Sequence, residues 1–267
     1  MKKFMMTAVC VLTVIVFTAP AFAHFQMVYT PEMAMKNGGK IDLKIVFTHP
    51  FDAGHTMKMG TNEAFFSIHK GKKTDLLSTL KPITWTSLTN SGSAWETSMK
   101  LRGMGDWVLC LKPAPYLEEQ EGAYIQQITK TVLNVGGLPT DWDAEVGLEA
   151  EIVPLNIPYA MLTGNVFRGI VKGGGKVVPF ADIEVEYLNH DPKMDENAFA
   201  KEANAETAPT FVWPTAIKAN AQGEFSYGLP KAGWWGFCAL GVGPATEFNG
   251  KELSQDAVIW VYVSDMK

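Results

Sequence analysis

The chain is short of cysteine, of positive charge and of long apolar runs, and each shortage removes a class of explanation. Three cysteines occur in 267 residues and none forms a CxxC pair, so a thiolate metal site of that type is absent. Basic residues are outnumbered, 23 to 28, and no arginine run or basic patch appears, which argues against a nucleic-acid partner. Only Met5 to Thr18 is long and apolar, and it falls short of the roughly 20 residues that a spanning helix needs. Catalytic signatures are missing as well: there is no GxSxG, no Walker loop, no HExxH and no dinucleotide fingerprint after a strand. Gly173-Gly174-Gly175 opens no helix and reads as a hairpin turn. The acidic run Glu118-Glu119-Gln120-Glu121 lacks calcium-loop spacing and reads as a solvated loop.

The one apolar run has the form of an export signal. Lys2 and Lys3 precede it, Pro20 breaks it, and Ala21-Phe22-Ala23 is a small-x-small cleavage site. Residues 1–23 therefore read as a cleaved signal peptide and the protein as periplasmic; an uncleaved anchor is the competing reading, against which the length argues. Cys10 lacks the small residues that precede a lipidated cysteine. Removing Lys2 and Lys3 leaves 21 basic against 28 acidic residues, a net charge of −7. Cys110 and Cys238 remain, each inside an apolar strand-like run, and read as buried free thiols rather than as a disulfide.

Nearly every later segment reads as a short strand bounded by turn residues. Ile41 to Phe47, Glu63 to His69, Ala94 to Leu101, Gly105 to Leu111 and Tyr124 to Leu133 are strand-like, with Gly38-Gly39, Ser91-Gly92 and Gly103-Met104-Gly105 as turns. Only Thr74 to Leu80 suggests a helical turn. The fold class is all-β, with two antiparallel β-sandwich domains at 24–158 and 159–267. Gly164 to Tyr187 followed by Gln222 to Trp235 resembles small Greek-key sandwiches of the transthyretin or carboxypeptidase-regulatory type, in which Ile183, Val185 and Tyr187 face the core. Asn189 to Asn220, rich in Ala, Asn and Glu, reads as a flexible insertion.

Four of the five histidines, His24, His49, His55 and His69, fall early in the exported chain. Cleavage after Ala23 makes His24 the N-terminus, where its α-amine and Nδ1 can close a chelate ring on one metal ion. A first strand paired with the strand ending at Phe47 would bring His49 beside it. His55, in the following loop, and His69, at a strand end, are the further candidates; the alternative is that His49 stabilises a turn before Pro50 and that His55 and His69 are merely solvated. His190 lies apart. Imidazoles suit Ni, Co, Cu and Zn alike. Met33, Met35, Met57 and Met59 would move copper up if exposed, although methionine also fills apolar gaps.

Taken in order, Ala23-His24-Phe25-Gln26, Phe47 to Phe51, Gly71 to Leu77, Lys112 to Tyr116, Glu151 to Leu155 and Gly164 to Tyr187 carry a family likeness. The chain resembles the NikK-like periplasmic accessory proteins of energy-coupling-factor nickel/cobalt uptake systems. The resemblance implies a non-enzymatic role: capture of Ni(II) or Co(II) as cargo and delivery to the membrane-embedded substrate-binding subunit of a transporter. It bears most directly on His24 and His49. Two alternatives from other classes stand beside it. One is a copper protein or terminal-histidine copper oxidase with Trp85, Trp95 and Trp107 as a substrate surface; the other is a metal-independent adhesion module.

Overall fold

The computed structural model describes residues 24–206 and 214–266; residues 1–23, where a cleaved signal peptide is expected, and Phe211 to Trp213 lie outside the described residues. The protein is all-β, with one short 3-10 turn among the described residues, Leu77–Thr79, inside the segment expected to turn helically. Three sheets stack as layers. The first runs in the order Phe25–Tyr29, Lys40–Thr48, Ser91–Lys100, Lys81–Thr86, Ala198–Ala203, His190–Lys193. The middle sheet has twelve strands, with Gly233–Ala239, Lys251–Ser264, Ala123–Val135 and Gly105–Pro113 at its centre. The third packs Ala150–Pro154, Val166–Gly173 and Glu224–Gly228.

Strand periodicity explains the layering. Successive side chains of a strand point to opposite faces, so a strand buried on both sides is apolar throughout. Along Gly105–Pro113, Leu109 and Leu111 enter one core, while Val108 and Cys110 enter the other. Along Lys251–Ser264, Val258 and Trp260 share the first core with Phe25, Met27 and Leu43. Ala257, Ile259 and Val261 join Ile152, Phe167 and Phe225 in the second. The architecture is thus two sandwich interfaces with one shared sheet. The expected boundary at 158/159 is crossed by that sheet: Ala123–Val135 pairs in parallel with Lys251–Ser264, from Tyr124↔Leu253 to Thr131↔Trp260. Cys110 and Cys238 are both free and buried, and they lie in different cores on opposite faces of the middle sheet.

One sequence expectation changes, and one of two open readings is settled. Within Asn189 to Asn220, the strands His190–Lys193 and Ala198–Ala203 form an antiparallel hairpin that joins the first sheet through Ala198↔Thr86. Its anchor is Phe199, set edge-on to Trp85 at 5.2 Å, and a single buried aromatic in a polar segment gives no periodic signal. Met57 and Met59 are buried in the first core, as is Met33, so these thioethers fill apolar space.

Candidate metal centre

The first strand places the terminal histidine. Phe25 pairs with Thr48 at the end of the antiparallel ladder, so His24 and His49 are the next residues outward on adjacent strands. Their rings stand 4.5 Å apart, centroid to centroid, with the His24 ring also 5.6 Å from Phe47 and 6.4 Å from Tyr116. On its other side His24 Nε2 lies 3.3 Å from Glu118 Oε2, and the two side chains are only 13% and 12% exposed.

Side chains of the middle sheet grip the strand that carries His24. Among the described residues no strand neighbours its outer edge, and an open edge normally seeks one. Here Gln127 Oε1 accepts the Gln26 N–H at 2.8 Å, and Gln127 Nε2 donates to the His24 carbonyl at 2.7 Å. Trp260 Nε1 donates to the Gln26 carbonyl at 2.9 Å, and Thr131 Oγ1 to that of Val28 at 3.2 Å. Gly236 gives the clearance for this docking: a Cβ there would stand 2.8 Å from Phe25 Cδ1 and 2.9 Å from Trp260 Cζ2.

The loop after His49 is fixed from several directions. The Gly54 N–H donates to the His49 carbonyl at 3.1 Å and the Asn189 N–H to that of Pro50 at 3.2 Å. The Phe51 N–H donates to Glu186 Oε1 at 2.8 Å. His55 is exposed, with Nε2 3.2 Å from Asn90 Nδ2, and Asn90 also holds both backbone groups of Thr56.

His24 and His49 therefore meet, His55 lies near enough to add to the electrostatics of His24, and His69 does not join them. His69 closes the strand Asn62–His69, stacks on Trp107 at 4.1 Å and has Nδ1 2.8 Å from the Asp106 carbonyl. The opposite end of that strand, Asn62, pairs with Pro113, near Tyr116. The separation is a strand length, roughly 20 Å at about 3.3 Å per residue. His190 is buried elsewhere, with Nδ1 3.0 Å from the Ala200 carbonyl.

Electrostatics keep the His24 imidazole neutral, and burial also shifts several carboxyls of the neighbouring strands. Burial, and then the proximity of His49 and His55, lowers His24 from 6.5 to about 3, so its imidazole is uncharged at neutral pH. Burial, reinforced by Asp256 and Glu121, pushes Glu184 up to about 7, and burial also raises Glu186 and Asp256. Among the described residues no group of three or more His, Cys, Asp and Glu side chains is arranged to hold a metal ion. What meets in the corner is a pair of imidazoles and one carboxylate. An α-amine on His24, after cleavage at Ala23, would add the donor that completes a nitrogen-rich chelate.

Glu118 is the participant that sequence reasoning placed in a solvated loop. The short strand Tyr116–Glu118 pairs with Ala123–Val135, and its two-residue period puts Tyr116 and Glu118 on one face, toward His24. The alternation of Tyr116, Leu117 and Glu118 was the available signal; the following Glu119-Gln120-Glu121 masked it.

Residues 21–243 match the family described as a domain of unknown function, DUF4198. No curated protein matches the chain. Among solved structures, the D0-D1 domain of Intimin is similar at 10% identity, covering 90% of this chain and 100% of that one, with a TM-score of 0.21. The adhesin InvE of Yersinia pseudotuberculosis is similar at 10% identity over 88% of this chain and 58% of its own, with a TM-score of 0.23. The titin segment A168169 has 10% identity, coverages of 91% and 99%, and a TM-score of 0.21. At TM-scores of this size these likenesses carry no argument.

Proposed function

The chain belongs to the DUF4198 family, and from the geometry of the His24 corner we propose that it captures Ni(II) or Co(II) in the periplasm and hands the ion to the membrane-embedded substrate-binding subunit of a nickel/cobalt transporter. The observation that carries the reading is the adjacency of the His24 and His49 rings at 4.5 Å, beside the point where processing would create a free amine. In this reading the His24 α-amine and Nδ1 bind the ion as a chelate, His49 supplies a third nitrogen, and exposed His55 closes over it. His69 takes no part.

The role is binding rather than catalysis. Trp85 is buried against Phe199 and does not contribute to a flat aromatic surface of the kind a polysaccharide-oxidising copper enzyme would need. Buried Met57 and Met59 leave the nitrogen donors as the site's character, which suits Ni(II), Co(II) or Cu(II) better than a soft monovalent ion.

Calorimetric titration of Ni(II), Co(II), Cu(II) and Zn(II) into protein beginning at His24 tests this. The control is the same protein with one residue ahead of His24, which leaves every side chain and removes the terminal amine. We expect a large loss of affinity in the extended form. We also expect affinity in the processed form to rise about tenfold per pH unit up to the amine's pKa near 8, as one proton is displaced. Equal affinity in the two forms would sink the chelate; no binding in either would favour the metal-independent reading.

A further inference from the structure

A terminal histidine makes a chelate only if its ring presents Nδ1 to its own amine with the lone pair free. A neutral imidazole has two tautomers and two ring flips, so something must select the competent state. One acidic side chain stands close enough to the ring to do this. His24 Nε2 lies 3.3 Å from Glu118 Oε2 in a nearly closed corner, walled by Phe47, Tyr116 and His49. An ionised carboxylate only accepts hydrogen bonds, so an uncharged ring facing it is stabilised with its proton on Nε2. That leaves the lone pair on Nδ1.

We infer that Glu118 is the positioning residue of this metal centre: its carboxylate holds the Nε2–H of His24, which locks flip and tautomer and turns Nδ1 toward the α-amine. The inference rests on the terminal-chelate reading. Glu118 is itself well placed for the task. Its Oε1 accepts the Gln120 N–H at 3.2 Å, its carbonyl accepts the Gly122 N–H at 2.8 Å, and its backbone is paired to Ala123. Oε2 is therefore the oxygen turned to the ring. Carboxylates that orient metal-binding imidazoles in this way are a general device, and their loss typically weakens metal affinity about 10–100-fold.

The first measurement needs neither metal nor variant. Long-range 1H–15N correlation on metal-free processed protein at neutral pH should show His24 as the Nε2–H tautomer. Observation of the Nδ1–H tautomer overturns the inference. Glu118→Gln, which keeps an accepting oxygen, should retain that tautomer and lose only part of the Ni(II) affinity, whereas Glu118→Leu should mix the tautomers and weaken binding by about 10–100-fold. Since Glu118 is not a ligand in this scheme, the d–d spectrum of the nickel-saturated protein should be the same in wild type and both variants. A spectral change in Glu118→Gln makes Glu118 a ligand and overturns its assignment as an orienting group. If wild type shows the expected tautomer and binds no metal, the capture reading fails while the ring lock stands.

Discussion

Glu184 and His24 ionise against the grain of the fold in opposite directions, and the pH dependence of stability separates them. Glu184 is raised from 4.5 to about 7, so the folded state holds its proton more tightly than the unfolded chain. Its contribution to stability is complete below pH 4.5 and is lost as pH rises through 7. His24, lowered from 6.5 to about 3, behaves oppositely: its contribution is complete above pH 6.5 and is lost as pH falls toward 3. Glu184→Gln should therefore match wild type at pH 4 and exceed it at pH 8 by on the order of 2 kcal/mol. Urea unfolding at pH 4, 6 and 8 measures this, and parallel pH profiles would refute it. At this scale the sequence was partly legible. The adjacency of His24 and His49 followed from strand pairing that can be read locally, since Phe25 to Tyr29 and Ile41 to Phe47 are recognisable strands. His69 looked equivalent because sequence distance says nothing about which end of a sheet a strand reaches. Glu118 and Glu184 were hidden for a related reason: an acidic side chain reads as solvated until its neighbours are known.

A single strand, Phe25–Tyr29, carries the site, and what holds it is an exchange of ladder bonds for side-chain bonds. One edge pairs with Lys40–Thr48; the other is satisfied by Gln127, Thr131 and Trp260 from the middle sheet. Gln127 is the most consequential of these, because one amide serves both the Gln26 N–H and the His24 carbonyl. Gln127→Ala leaves two buried or half-buried backbone groups without their partner, at a cost of about 1–3 kcal/mol for each group that water cannot reach. The expected signature is local: amide exchange at Gln26 accelerates well beyond the global change, and metal affinity falls because His24 is no longer fixed. Unchanged protection at Gln26 would show that the edge is held by other means. This grip could not be read from sequence. Glutamine and threonine at alternate positions of a strand normally indicate a solvent face, whereas Gln127, Thr129 and Thr131 are all buried between two sheets. The hairpin His190–Lys193 to Ala198–Ala203 escaped notice for the converse reason, having too little apolar surface to look like structure.

The molecule as a whole is organised by the middle sheet, and that sheet is built from both halves of the chain. Its central seam joins Ala123–Val135 to Lys251–Ser264 in parallel, and the two cores lie on its opposite faces. The unbroken apolar run from Ala257 to Val261 was a legible sign of a strand covered on both faces; its partner was not, because parallel pairing over so long a separation leaves no local turn signal. The consequence is cooperativity. A fragment of residues 24–158 keeps both strands of the His24–His49 ladder, yet it loses the edge partner of Ala123–Val135, the Trp260 bond to Gln26, and Val258 and Trp260 from the first core. Residues 159–267 alone expose the mirror image of that loss. Full-length protein beginning at His24 should unfold in urea as one transition, with far-UV circular dichroism and tryptophan fluorescence superimposing. The 24–158 fragment should show the poorly dispersed amide spectrum of an unfolded or molten chain. A dispersed spectrum from that fragment, with His24 and His49 still in contact, would mean that the first sandwich is self-sufficient and that the shared sheet joins two units already stable by themselves.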